Sequence, residues 1–314
     1  MNNCGGRLPA LALVGLVCGC AANARGPGGG ERTQLAFEAR ASSEFWTRWG
    51  DGKAELSGYR VTTERYGELR EGRAVLIYVA EPMDSRVWIK DDAGRAPEAY
   101  RVQVLKLNRM LSFRTGIYPY AVMTSTFAPV DRIVGRERFA PTKVALSAQE
   151  WCGHVYQKLL PSAGSAVHEV RSYFGSEGEA SETVATSEDT LYEDGLPIQL
   201  RELDGPFNGG RRWSGQLMPS LWRVRKAHRP PRPVAATIER RQLERAGVRV
   251  TRFVLEAEGL TRSYDVELAA PHRLLGWSDN QGQRGTLLET ARLPYWELNS
   301  GGDERHLAQI GLRP

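Results

Sequence analysis

The 314-residue chain carries 42 Lys and Arg against 37 Asp and Glu, a net charge of +5, with 41% hydrophobic and 25% charged residues. That composition excludes a disordered or collagen-like chain, and the length is ample for one large β domain or two ordinary ones. The small cationic surplus, nearly all arginine, does not establish a nucleic-acid binder, and no nucleic-acid partner is expected.

At the start of the chain a single Arg7 precedes the apolar run Leu8 to Val17. The run is about half of the ~20 residues a membrane-spanning helix needs, so residues 1–19 read as an export signal. Its end, Val17-Cys18-Gly19-Cys20, resembles the lipobox of bacterial lipoproteins. The resemblance implies that Cys20 becomes the lipidated first residue of the mature chain, held stably in a membrane by several acyl chains. Cys18 is an alternative acceptor, and a plain secretory signal is the other reading. Ala21 stands where enteric lipoproteins retained in the inner membrane carry aspartate, which places the protein at the outer membrane facing the periplasm. Cys4 and Cys18 leave with the signal and Cys20 is capped, so Cys152 remains alone and no disulfide is expected in the mature chain.

Residues 20–32 read as the lipidated cysteine and a Gly-rich flexible tether reaching roughly 20 Å. A single large β-rich domain is expected over 33–314, with a possible subdivision near 229–233. Leu35, Ala39, Ser42, Trp46 and Trp49 fall on one helical face before Gly50, which predicts an N-terminal helix. Strands follow at Arg73 to Glu81, Arg86 to Lys90, Tyr100 to Arg114 and Tyr118 to Phe127.

The stretch Pro141 to Leu160 alternates with period two, so one strand would put Val144, Leu146, Ala148, Glu150, Cys152, His154 and Tyr156 on one face. A helix capped by Ser147 and Glu150, with the stripe Trp151, Val155 and Leu159, is the alternative; Gly153 and the strand-like neighbours favour the strand. Ala166 to Thr186 alternates too, with bends at Gly175 and Gly178. The acids between Ser176 and Asp194 lack calcium-loop spacing and read as a solvated sheet edge.

Gly209 to Pro233 is rich in arginine and tryptophan. Arg211, Arg212, Trp213, Trp222 and Arg223 are candidates for binding a lipid headgroup or an anionic envelope glycan; a solvated hairpin before a stiff Pro-rich connection is the plainer reading. Val248 to Glu258 pairs with Leu260 to Leu268 across Gly259. On the apolar face of that second strand, Leu260, Tyr264, Val266 and Leu268 have one charged neighbour, Arg262. Leu274 to Ser278 and Gly285 to Leu293 continue the meander.

Cys152 and His154, with Glu150 beside them, are the candidates for nucleophilic catalysis. Two residues apart on one strand they stand too far for a direct hydrogen bond, so a buried structural cysteine is the preferred reading. The five scattered histidines offer no zinc spacing, and no phosphate-binding glycine loop, dinucleotide fingerprint or G-x-S-x-G is present; neither metal nor cofactor is expected.

From Phe45-Trp46-Thr47-Arg48-Trp49-Gly50-Asp51-Gly52 through Ala148-Gln149-Glu150-Trp151-Cys152-Gly153-His154 to Leu293-Pro294-Tyr295-Trp296, the chain resembles an uncharacterised family of bacterial envelope proteins whose members often carry the label "septum formation inhibitor Maf". The Ser-x-x-Arg-Arg type motif of the Maf nucleotide pyrophosphatases is absent near the start. The meander is also similar to periplasmic half-barrel lipoproteins that hold acyl chains. Together these readings predict a mainly β protein, a large antiparallel curved sheet or half-open barrel with an N-terminal helix. Its expected role is non-catalytic, binding a lipid or other envelope component or scaffolding envelope partners; a thiol-dependent hydrolase using Cys152 and His154 is the alternative.

Overall fold

Alternating sequence separated by tight turns folds into hairpins, and the computed structural model describes residues 34–202 and 210–313. The expected signal, the lipidated Cys20 and the tether lie outside them. In chain order the elements are β1 (Phe37–Ala39), α1 (Ser43–Trp49), β2 (Ala54–Arg65), β3 (Glu68–Asp84), β4 (Ile89–Lys90), β5 (Arg101–Thr115), β6 (Tyr118–Pro129), β7 (Arg132–Ile133), β8 (Lys143–Glu150), β9 (Gly153–Ser162), β10 (Ser165–Ser172) and β11 (Glu179–Ala185). They continue with β12 (Leu191–Tyr192), α2 (Leu196–Glu202), β13 (Arg212–Met218), α3 (Leu221–Lys226), β14 (Val234–Arg245), β15 (Val248–Ala257), β16 (Leu260–Glu267), β17 (Leu274–Asp279) and β18 (Arg284–Leu293).

Sixteen strands form one sheet in the order β11-β10-β9-β8-β6-β5-β3-β2-β18-β17-β16-β15-β14-β13-β12, with β4 added beside β3. All pairings are antiparallel except β12 with β13. Three of the turns hold two successive residues at positive φ: Tyr66-Gly67 (58° and 76°), Ala246-Gly247 (48° and 79°) and Glu258-Gly259 (49° and 74°). Two positive φ angles match the twist of a two-residue hairpin, and glycine takes the second without a Cβ clash. The sheet is not closed: β11 and β12 stand at its two ends and do not pair. It runs unbroken past the Pro-rich 229–233 connection, since β13 and β14 on either side pair directly.

The sheet wraps around its own helices. Leu196, Ile198 and Leu200 of α2 and Phe45 and Trp49 of α1 share one core with Tyr59, Leu76 and Leu107 from one half of the sheet and Ile238, Phe253 and Tyr264 from the other. Residues Leu196 to Arg201 of α2 are all buried, the mark of a helix enclosed on every side. A second core, with Val122, Leu146, Leu159 and Val184 from the β6–β11 half, packs against Leu221, Trp222 and Val224 of α3. The concave face is therefore covered by the chain itself. Outside the sheet, Ile310 and Leu312 pack on Leu56, Ile77 and Val79.

That outer contact passes over Gly58, where a Cβ would collide with the Ile310 carbonyl oxygen. Gly58→Ala should therefore lift the 303–312 segment off β2 while the central strands stay paired. The expected result is faster proteolysis confined to the C-terminal segment, and an unchanged digestion pattern would contradict it.

Several sequence expectations change. The N-terminal helix is present but shorter, because residues 37–39 form β1 against β7, and Ser42 caps the helix by accepting the Phe45 N–H at 3.2 Å. Pro141 to Leu160 is a hairpin, not one strand: Trp151 and Cys152 form a two-residue turn between β8 and β9, with Glu150 opposite Gly153. A Cβ on Gly153 would press into the Tyr173 ring, so a larger residue there would displace that exposed ring. Of Arg86 to Lys90, only Ile89–Lys90 is strand. Within Gly209 to Pro233, the part carrying Trp222 is a buried helix, where a solvated hairpin was the plainer expectation. No helix among the described residues is long and apolar enough to cross a membrane.

Candidate functional site

Two acids that belong to the expected solvated edge are in fact inside the protein. Glu193 and Asp194 are 3% and 7% exposed, in the turn that leads into α2. The edge reading holds for β11, which is the end strand, but the chain then dives under the sheet. Buried carboxylates need partners, and these two are met by the N-terminal end of α3. The Ser220 N–H donates to Glu193 Oε2 at 3.0 Å and the Leu221 N–H to Asp194 Oδ2 at 2.8 Å. Ser220 itself caps α3 by accepting the Arg223 N–H at 3.1 Å.

Arginines complete the arrangement. Arg262, the charge on the apolar face of β16, donates to Glu193 Oε1 at 2.6 Å and to Asp279 Oδ2 at 2.8 Å. Arg109 Nη2 stands 3.4 Å from Asp194 Oδ1. Arg223 Nε lies 3.2 Å from Glu193 Oε2 but is not aligned for a hydrogen bond. Lys226 Nζ reaches Glu64 Oε2 and Gln283 Oε1, each at 3.1 Å. Burial works against the Arg262 charge, yet Tyr264, Glu193 and Asp279 around it raise its pKa above the ordinary value. Burial raises Asp194 despite the opposing charge of Arg109, and burial lowers Lys226 against the pull of Glu64.

Above this network lies a cleft of about 60 Å³ lined by Arg109, Arg223, Lys226, Arg262 and Arg284, with Ser220, Gln283, Trp222 and Trp277. The volume is several times what one water needs, enough for a phosphate- or carboxylate-sized group. Every charged side chain in its wall is a cation. Two donors of its lining residues, Trp222 Nε1 and Arg223 Nη2, are buried without an acceptor among the described residues.

The structure separates the arginine and tryptophan candidates. Trp222 and Arg223 line the cleft, whereas Arg212 pairs with Glu239 at 2.7 Å on the surface, Arg211 is exposed, and Trp213 packs at the margin of the main core against Gly215. Cys152 and His154 lie away from the cleft. Cys152 is exposed, not buried, because it occupies a turn. Its backbone N–H donates to Glu150 Oε2 at 2.6 Å, and the same carboxylate pushes the thiol pKa up. A raised pKa leaves less thiolate, the opposite of what a nucleophile needs.

This makes a direct prediction. Cys152 should react with a maleimide in the folded protein, Glu150→Gln should speed that labelling several-fold at neutral pH, and Cys152→Ser should leave stability within about 0.5 kcal/mol. A thiol that is inert until the protein unfolds would contradict it.

No protein-family description matches the chain. No curated protein matches it either. Among solved structures the chain is similar to a β-barrel-like protein of the domain of unknown function DUF1849 from Brucella abortus, at 11% identity and a TM-score of 0.46, over 76% of this chain and 98% of that one.

Sequence reasoning did not find Arg109 or Asp279, had Lys226 only as one of many cations between Gly209 and Pro233, and read Glu193 and Asp194 as a solvated edge. Arg262 was the available signal, a lone charge on an apolar strand face, and a buried charge implies partners supplied from elsewhere in the chain. Among the described residues no three His, Cys, Asp or Glu side chains stand close enough to hold a metal ion.

Proposed function

We propose that the protein is a non-catalytic binding protein of the cell envelope that takes an anionic group, a phosphate or carboxylate, into the cleft beneath α3. The sorting of charge carries this reading: five cations face the cleft, while the acids that balance them, Glu193, Asp194, Asp279, Glu64 and Glu71, stand outside its lining. A bound anion would add the acceptor that Trp222 Nε1 and Arg223 Nη2 lack, at charge-assisted strength.

The proposal keeps the lipid-anchored outer-membrane location implied by the Cys20 lipobox, and with it the likeness to the envelope family. It changes the ligand. Since α1, α2 and α3 cover the apolar concave face, an anionic lipid headgroup or glycan acid fits the molecule better than an acyl chain. The raised thiol pKa of Cys152 favours this reading over a thiol hydrolase.

Calorimetric titration of the full chain with inorganic phosphate, and separately with phosphatidylglycerol vesicles, tests it. Phosphate heat that weakens with added sodium chloride supports the anion site. Binding to vesicles alone would assign the site to a lipid headgroup, and no heat from either probe would sink the proposal.

A further inference from the structure

A second pocket, of about 270 Å³, lies where the connection after α3 crosses β9, β10 and the 172–178 turn. Two of its lining residues carry buried acceptors. His168 is 5% exposed and its Nδ1 faces Glu182 Oε1 at 3.3 Å. Arg232 holds the Glu182 carboxyl below its ordinary pKa by hydrogen bonding, so Glu182 is ionised and the proton of the neutral His168 ring sits on Nδ1. His168 Nε2 is then a lone-pair acceptor, buried and without a partner among the described residues. Gln157, also 5% exposed, leaves its Oε1 in the same condition. Arg225, 7% exposed, supplies an unpartnered donor, its Nε.

The charges around these atoms are already matched. Glu177 forms an ion pair with Arg225 at 2.8 Å and meets His228 Nδ1 at 2.7 Å, Glu182 accepts from Arg232 at 2.7 Å, and Arg229 pairs with Glu258 at 2.7 Å. Acids and cations thus share this wall and present no single sign of charge to an ion, whereas the wall of the cleft beneath α3 holds cations alone. What the pocket offers is two acceptors and one donor, with Val170, Ala180 and Pro230 as apolar wall. Neighbouring hydroxyl groups both donate and accept, and a ring carrying them also presents C–H faces. The volume is near the lower end of small-ligand pockets, which span roughly 300–1,000 Å³.

We propose that this pocket binds a neutral, polyhydroxylated ligand the size of one sugar ring, with His168 Nε2 and Gln157 Oε1 accepting from adjacent hydroxyls.

Saturation-transfer NMR on the full chain tests this with methyl β-glucoside and myo-inositol as probes and tetrahydropyran, a ring without hydroxyls, as control. Saturation of both polyols and not of tetrahydropyran is expected. Gln157→Leu should weaken polyol binding about tenfold, the effect of losing one buried hydrogen bond to a ligand. Its thermal unfolding should match the parent or exceed it, because the unpartnered acceptor is gone; His168→Phe is the second variant, with the same expected loss. Arg223→Met should leave the polyol signal intact, which separates this pocket from the anion cleft. Absence of polyol saturation, equal saturation of tetrahydropyran, or full binding in both pocket variants would overturn the assignment.

Discussion

Arg201→Met should lower the unfolding free energy by about 3–5 kcal/mol, the cost of stranding one partner of a buried ion pair. For a domain of this size that corresponds to a fall in Tm of roughly 10 °C in a thermal scan. Arg201 and Glu55 are 1% and 2% exposed and lie 2.7 Å apart, one from α2 and the other from β2. Arg201 also lies over the Tyr78 ring at 4.4 Å and donates to the His272 carbonyl at 2.8 Å. Arg48 of α1 meets the other Glu55 oxygen. The pair therefore ties both interior helices to the middle of the sheet, and without Arg201 the Glu55 charge would keep only its contact to Arg48. A loss below about 1 kcal/mol would mean that the interior admits water freely.

The same pair sets a pH dependence. Burial alone would raise the Glu55 pKa, but Arg201 and Arg48 outweigh it, so the folded-state value is depressed. A depressed carboxyl stabilises the fold above its unfolded pKa, near 4.3, and that contribution is lost as pH falls through the folded value. Glu55→Gln should accordingly be less stable than the parent at neutral pH, and the gap should close in acid. Denaturant midpoints measured across that range check it, and a gap independent of pH would contradict the assignment.

Arg223→Met should cut phosphate affinity by about ten- to a hundredfold, since a hydrogen bond to a charged group contributes roughly 1.5–3 kcal/mol. The fold should survive, because Glu193 keeps Arg262 at 2.6 Å and the Ser220 N–H at 3.0 Å when Arg223 is removed. Arg262→Met would be a poor test, as it abandons both Glu193 and Asp279 and confounds binding with stability. Calorimetry of Arg223→Met beside the parent reads the effect, and parental affinity in the variant would remove Arg223 from the site.

Much of the sheet was legible because its strands alternate and its turns carry residues suited to positive φ. The β15–β16 hairpin across Gly259 is the plainest case. The break between β8 and β9 left a trace that the single-strand reading passed over: the buried positions are even through Val144, Leu146 and Ala148 and odd from Val155 to Leu159, the change of phase that a two-residue turn imposes. The helices α2 and α3 were hidden for another reason. α2 is only seven residues long and buried all round, so it has no polar stripe to declare it. The cleft inherits that difficulty: Arg109, Glu193, Arg223, Arg262 and Asp279 come from five separated segments, and no spacing in the sequence relates them. Arg262 alone was out of place locally, and it marked the site.

The junction of β2 with β18 fixes the order in which this protein can be completed. β2 is the first strand of the large sheet and β18 the last, and they pair along nearly their whole length, from Ala54 opposite Leu293 to Thr62 opposite Arg284. While the chain is being made, the strands from β2 to β11 can zip together through neighbouring hairpins, but one flank of β2 must wait for the final strand. Until then it exposes open backbone donors and acceptors, an invitation to another nascent chain. The pairing joins segments far apart in sequence, the slow class of closure. A chain interrupted before Arg284 keeps that flank unpaired, so shortened versions should associate through β2 more readily than the whole protein.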